Sequence, residues 1–371
     1  MKYRVVIITP GPKMTLDEEY FKLLSEQCEG AILTSSTEEI IINRKQVGSF
    51  KVNCIEYKRN QKLLTNIAFV LNGIRFAYRA KKNNEKYDLV TTYDPLKSGV
   101  VGVIVSKLLN IKYIAFVNGV YTSDAEYLDT KDTVFTRIKR FVTPLVMKFV
   151  LKNSDGIKLL FDSQIDVFKK QVKGKKIVSF PEYVPTDRFS NIREDKEILF
   201  VGFPYKRKGV DILIKAFKKI TDQYPDWKLK ILGWFQDRTE LDNAIDNHPR
   251  IEYHEPVYYK EMPNHIGTCS ILALPSRSEA MGRVLVEAMA AGKVRVGSNV
   301  DGIPTVINDN VDGLLVEPGN AEDLAEKFKS LIEDDELRKR LGKNAKKRAM
   351  EEFTQDVYFK NLTDFYKEVI T

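Results

Sequence analysis

Histidine is scarce in this chain: His248, His254 and His265 are the only three among 371 residues. None has a ligand partner at metal spacing, so no metal site is expected, and no histidine base can act from the residues before His248. Cysteine is equally sparse. Cys28, Cys54 and Cys269 are scattered and odd in number, which suggests neither a disulfide framework nor a zinc site and fits a reducing cytoplasm. No stretch approaches the roughly 18 consecutive apolar residues of a membrane span, and the first ten residues do not resemble a signal peptide. The loop after the first strand lacks the glycine-rich dinucleotide fingerprint, which removes support for a nicotinamide cofactor. There is no internal repeat and no low-complexity tract.

What is present is a globular composition, 43% hydrophobic and 30% charged, on a chain long enough for two domains of ordinary size. The net charge of +8 points to an anionic partner. Residues 137–176 alone hold eleven Lys or Arg against three Asp. Within residues 134–152 the basic residues alternate with Phe135, Ile138, Phe141, Leu145, Val146, Phe149 and Val150. Two readings stay open there: a face resting on an anionic membrane, or the solvated face of a core helix kinked by Pro144. A nucleic-acid partner is not expected, because no recognisable motif or row of stacking aromatics accompanies the charge.

Strand and helix patterns alternate along the first half. Strands are expected at 3–9, 31–34, 52–57, 88–92, 113–117 and 156–160, with helices at 16–27, 63–82 and 99–109 and a turn at Pro10-Gly11-Pro12. Such alternation predicts a parallel sheet covered by helices on both faces, with ligands outside the carboxyl ends of its strands. Asn118-Gly119 falls at one such end; it is either a plain turn or a hydrogen-bonding site. Two prolines in Pro181-Glu182-Tyr183-Val184-Pro185, followed by polar residues to Lys196, read as a linker, and the boundary is placed at Pro185.

A second α/β pattern begins at strand 197–201, which ends at Gly202. The loop that follows, Phe203-Pro204-Tyr205-Lys206-Arg207-Lys208-Gly209, carries three consecutive cations before a helix at 210–224. At a strand's carboxyl end, facing a helix start, Lys206, Arg207 and Lys208 can neutralise a diphosphate; a solvated cationic loop is the alternative. Further strands are expected at 228–232, 251–253, 270–274 and 294–297, a helix at 259–266, and amphipathic helices at 321–332, 336–352 and 355–369.

The stretch Leu274-Pro275-Ser276-Arg277-Ser278-Glu279-Ala280-Met281-Gly282-Arg283 leads into an apolar helix, 284–291, stopped by Gly292. Glu287 interrupts that helix, and a buried carboxylate needs a partner, either a ligand or a buried arginine. Glu279 lies in the loop before the helix, where Met281, Gly282 and Arg283 present free N–H groups at the positive end of the helix dipole. Anions and sugar hydroxyls suit such a place.

Glu279 and Glu287, with Ala288-Met289-Ala290-Ala291-Gly292 after them, resemble the signature of glycosyltransferase family 4, the retaining nucleotide-sugar transferases of glycosyl transferases group 1. Lys208-Gly209 is similar to the end of that family's diphosphate loop, with Phe203 where an arginine usually follows the glycine. Asn118 stands where the family usually has histidine, and Thr305 where it usually has glutamate. The resemblance implies the GT-B fold: two doubly wound Rossmann-like domains facing a cleft. Residues 1–185 would form the acceptor side and 186–354 the donor side, with the helix of 355–371 returning to the first domain.

By the same resemblance Glu287 binds the donor ribose and Glu279 the transferred sugar. Met281, Gly282 and Arg283 offer N–H groups to sugar and phosphates, and Gly202, Lys206, Arg207 and Lys208 shape the diphosphate site. Asn118, Glu279 and Lys208 would be catalytic, with no metal or other cofactor. The implied activity is retaining transfer from a nucleotide-diphosphate sugar to a glycan or lipid-linked acceptor in envelope polysaccharide or glycolipid synthesis, in the cytoplasm or on its membrane face. The rivals are an epimerase or phosphorylase-type enzyme on the same fold and a basic membrane-binding protein without catalysis.

Overall fold

The computed structural model describes residues 2–9, 14–37, 39–58, 61–235 and 237–371. The expected turn at Pro10-Gly11-Pro12 lies outside them. Contacts divide the chain into two compact units, the first comprising Met1–Gly119, Arg137–Phe180 and Phe359–Thr371, the second Val120–Thr136 and Pro181–Tyr358. This division falls five residues before Pro185, assigns Val120–Thr136 to the second unit, and returns to the first unit at Phe359 rather than at Gln355.

The first unit holds an eight-stranded sheet of β1 (Tyr3–Ile8), β2 (Cys28–Ser36), β3 (Gln46–Val47), β4 (Phe50–Glu56), β5 (Leu89–Thr92), β6 (Lys112–Val117), β7 (Gly156–Leu159) and β8 (Lys176–Ser179). Their order is β3-β4-β2-β1-β5-β6-β7-β8, and every pairing is parallel except β3 with β4. The second unit holds a six-stranded parallel sheet of β9 (Glu197–Val201), β10 (Lys228–Leu232), β11 (Ile251–His254), β12 (Ile271–Leu274), β13 (Val294–Ser298) and β14 (Leu314–Val316), in the order β11-β10-β9-β12-β13-β14.

Strands covered on both faces need apolar residues on both, which is why Val5, Val6, Ile7 and Ile8 in β1 and all of β12 are buried. The helix expected at 16–27 is Met14–Leu24, and the one expected at 210–224 ends earlier, as Val210–Lys218. The three cysteine thiols are pushed up by burial, Cys28 and Cys269 to about 12 and Cys54 to about 11, so none is a ready thiolate near neutrality.

Residues 137–176 are not uniformly a basic surface. Lys158, in β7, is fully buried, with its ammonium over the faces of Phe116 and Phe180 at 5.8 and 4.9 Å. The helix Val134–Asn153 continues through Pro144 and keeps Phe135, Ile138, Phe141, Leu145 and Phe149 exposed. Among the described residues no helix is long and apolar enough to cross a membrane.

Candidate functional site

The second unit brings two loops together at the carboxyl ends of adjacent strands. β9 leads through Gly202 into the cationic loop and the helix Val210–Lys218; β12 leads through Pro275 into the helix Arg283–Ala290. Gly209 has left-handed backbone, φ 70°, and a Cβ there would lie 1.9 Å from the carbonyl oxygen of Pro275. Only glycine lets the loops approach so closely.

Arg277 clamps them. Its guanidinium donates to the Lys206 carbonyl at 2.6 Å and, as a fork, to both carboxylate oxygens of Asp211 at 2.7 and 2.8 Å, while its N–H donates to the Arg207 carbonyl at 2.8 Å. Sequence reading passed over Arg277. Its only sequence signal was a cation between two serines, with nothing to indicate a partner 66 residues away.

Across the junction Lys208 pairs with Glu279, the two side chains only 14% and 9% exposed. Ser276 also donates to Glu279, at 3.4 Å. The Glu279 backbone is braced from the next loop: its N–H donates to Asp301 at 3.1 Å, and its carbonyl accepts from the Gly302 N–H at 3.1 Å. Ser278 donates to the same Asp301 oxygen at 2.7 Å. Glu279 is therefore held in backbone and side chain, facing the one cation of the loop that reaches it.

The other two cations are engaged elsewhere. Lys206 pairs with Glu240 at 2.8 Å and Arg207 with Glu126 at 3.3 Å. The N–H groups of Lys206 and Arg207 donate to the two carboxylate oxygens of Asp129 at 2.6 and 2.8 Å. The expected three-cation array thus contributes only Lys208 to Glu279. Phe203, at the position noted for its missing arginine, is half exposed and stands edge-on to Trp234 at 6.2 Å. The Thr305 hydroxyl donates to the Gly302 carbonyl at 2.7 Å.

Glu287 is 4% exposed in the helix Arg283–Ala290. Arg283, one turn earlier and 40% exposed rather than buried, donates to its carboxylate at 3.2 Å. Tyr259 donates to the same oxygen at 3.0 Å, and Arg283 in turn donates to the Tyr259 hydroxyl at 3.2 Å. Burial pushes the Glu287 carboxyl above its ordinary range, with Arg283 and Tyr259 pulling it back in part. Burial and the Glu287 charge also raise the Tyr259 phenol. Tyr259 was missed from sequence, where it appeared only as the first residue of a helix pattern.

Met281 is buried, and Gly282, at φ 76°, is the N-cap of this helix with no side chain capping it. The Leu285 N–H closes back on the Gly282 carbonyl at 2.7 Å.

Asn118 lies in the first unit, directly after β6. Gln164 donates to the carbonyls on either side of it, Val117 at 2.7 Å and Gly119 at 2.9 Å, and accepts from the Leu160 N–H at 2.9 Å. The Asn118 side-chain oxygen is buried without a hydrogen-bond partner among the described residues. In the neighbouring strand β5, Asp94 follows the carboxyl end, and burial pushes its carboxyl upward.

Residues 185–348 match the family model described as glycosyl transferases group 1. An uncharacterised glycosyltransferase of Methanocaldococcus jannaschii is 32% identical over 290 residues, covering 77% of this chain and 76% of that one. Among solved structures, sucrose-phosphate synthase from Thermosynechococcus elongatus aligns with a TM-score of 0.80 over 99% of both chains at 18% identity. HepE of Anabaena, solved in complex with UDP-glucose, aligns with a TM-score of 0.74 over 99% of this chain and 100% of that one at 15% identity. The structural likenesses establish the GT-B fold, and membership of an enzyme family sets aside a binding protein without catalysis. On the family match and the relative across three quarters of its length, the chain belongs to the glycosyl transferases group 1 and is a glycosyltransferase.

Proposed function

We propose that this glycosyltransferase moves a sugar, with retention of configuration, from a nucleotide-diphosphate sugar to a glycan or lipid-linked acceptor of the cell envelope. The observation that carries the reading is the part-buried Lys208–Glu279 pair beside the N-terminus of the helix Arg283–Ala290, which no side chain caps. An ammonium and a row of N–H groups there suit a leaving diphosphate, and a fixed carboxylate suits sugar hydroxyls. The presence of UDP-glucose in the HepE structure supports a donor of this class.

Glu287, anchored by Arg283 and Tyr259, accepts hydrogen bonds from the ribose hydroxyls, and Met281, Gly282 and Arg283 offer their N–H groups to sugar and phosphates. Gly202 leaves room at the strand end. Lys206 and Arg207 exchange Glu240 and Glu126 for phosphate oxygens as the donor enters. Asn118 offers its side-chain amide to a sugar hydroxyl.

In the transfer step the bond from the anomeric carbon to the diphosphate oxygen breaks, and a bond to the acceptor oxygen forms on the same face. The acceptor proton passes to the departing phosphate oxygen. A first unit without histidine is consistent with that route, and the cations and N–H groups carry the charge without a metal. The protein's contribution is positioning and electrostatics. The basic segment 137–176 favours a lipid-linked acceptor at the cytoplasmic membrane face.

A screen of UDP-, GDP-, ADP- and TDP-sugars for binding and slow release of nucleoside diphosphate tests this. One donor should stand out and be lost in Glu287→Ala; binding of none of them would overturn the donor-site reading.

A further inference from the structure

Two helices of the first sheet's layer each turn an apolar stripe toward solvent. The helix Lys62–Lys82 buries Phe69, Ala77 and Ala80 on its inner face. On the opposite face Leu63, Ile67, Leu71, Ile74 and Tyr78 recur every three or four residues, with Leu63 73% and Tyr78 71% exposed. The helix Val134–Asn153 repeats the arrangement: Thr143, Met147 and Val150 are buried, while Ile138, Phe141, Leu145 and Phe149 face outward, Phe141 72% exposed.

Both pack on the helix Lys97–Leu109. A Cβ at Gly73 would lie 2.6 Å from Val101, and one at Gly99 would lie 2.8 Å from Val150. The crossovers β4 to β5, β5 to β6 and β6 to β7 step in the same direction across the sheet, so right-handed connections put all three helices on one face. The two stripes therefore belong to a single helical layer. A monomer rarely exposes apolar surface on this scale without a use for it.

Charge identifies the occupant. Each helix carries five Lys or Arg and not one Asp or Glu. Arg75, Arg79, Lys81 and Lys82 are exposed on the first, and Lys148 and Lys152 on the second. A second copy of the chain would bring the same cations against these; an anionic headgroup layer complements them. Neither helix is apolar enough to span a bilayer, so each would lie on its surface.

We propose that this two-helix face docks on an anionic bilayer, with Ile67, Leu71, Phe141 and Leu145 entering the boundary between headgroups and acyl chains and the basic residues among the headgroups. The proposal deepens the lipid-linked-acceptor reading and rests on that reading only for its purpose, since docking is measured without a sugar donor.

The test is flotation of the full chain with phosphatidylcholine vesicles containing about one third phosphatidylglycerol, beside pure phosphatidylcholine vesicles. The chain should float with the anionic vesicles only. Binding should fall more than about tenfold in Lys81→Glu/Lys82→Glu and about tenfold in Ile67→Ser/Leu71→Ser and in Phe141→Ser/Leu145→Ser. All six residues are exposed, so melting temperatures should hold. Equal binding to neutral vesicles, full binding by the Ile67/Leu71 variant, or a dimer in lipid-free solution that these same substitutions dissociate would each overturn the proposal. Donor binding measured on the same samples separates the two readings: a wild-type chain that floats without binding any donor fails only as a nucleotide-sugar enzyme, and one that binds donor without floating fails only here.

Discussion

Glu287 keeps an ionisable carboxyl in a helix whose other inner side chains are apolar, and even with Arg283 and Tyr259 bound to it, burial raises its proton affinity. The folded carboxyl therefore titrates above its unfolded value. Its contribution to stability is present below the unfolded pKa, near 4.5, and is lost as pH rises through the folded one. As pH rises above the unfolded value the buried carboxyl becomes a growing cost to the fold, so Glu287→Gln should melt at or above the wild-type temperature at pH 8, with the advantage shrinking toward pH 4.5. The same substitution should weaken nucleotide-sugar binding by roughly ten- to a hundredfold, the worth of hydrogen bonds to a charged acceptor. Melting curves and donor titrations across pH check both halves; a variant less stable than wild type at pH 8 would show that the Arg283 pair outweighs burial. The need for a partner was legible in the sequence, because a lone carboxylate in an apolar helix signals one. Arg283 was within reach as its neighbour one turn earlier. Tyr259 was not, since 28 residues and a change of element separate it from Glu287. Arg295, set in the apolar strand β13, was equally hidden: it is fully buried and bonded to Asp312 at 2.7 Å, a pairing visible only once β14 is placed.

At the scale of elements, the cationic loop was legible as a strand end, three cations and a glycine before a helix, and the structure has that order. What sequence spacing could not convey is the anions brought onto it. The short helix Asp124–Tyr127, capped by Ser123, leads to Asp129, whose carboxylate takes the N–H groups of Lys206 and Arg207, while Glu126 pairs with the Arg207 side chain. Two negative charges on a loop proposed to receive a diphosphate oppose the incoming phosphates. Asp129→Asn removes one of them and leaves an oxygen able to accept one N–H. Donor affinity should therefore rise about three- to tenfold, the scale of one unit charge a few ångströms away in a partly solvated site. Calorimetric titration with the donor found in the nucleotide-sugar screen measures this. Unchanged or weaker binding would mean that Asp129 serves chiefly to hold the loop in shape.

For the whole molecule, two parallel sheets could be read from the alternating patterns, because strands buried on both faces leave continuous apolar runs separated by helical periods. The short antiparallel β3 left no such run, and the allocation of Val120–Thr136 depends on contacts far along the chain. The last helix, Gln355–Ile370, was legible as amphipathic, and the energetic weight of its aromatic stripe follows from where it packs. From Phe359 onward it belongs to the first unit, where Tyr366 meets Tyr3, Phe359 meets Tyr20, and Gly156 is a glycine because a Cβ would lie 2.6 Å from Val369. Phe359, Leu362, Phe365, Tyr366 and Val369 are all buried. At about 1.5–3 kcal/mol for each large apolar side chain, their loss removes roughly 8–15 kcal/mol, which matches the whole stability of an ordinary domain, about 5–15 kcal/mol. A chain ended after Tyr358 should therefore lose amide-exchange protection throughout β1, β2, β5, β6 and β7 while β9, β12 and β13 stay protected. Retained protection across the first sheet would mean that the helix only rests on a core stable without it. Collapse of both sheets together would mean that the second unit draws its stability from the first.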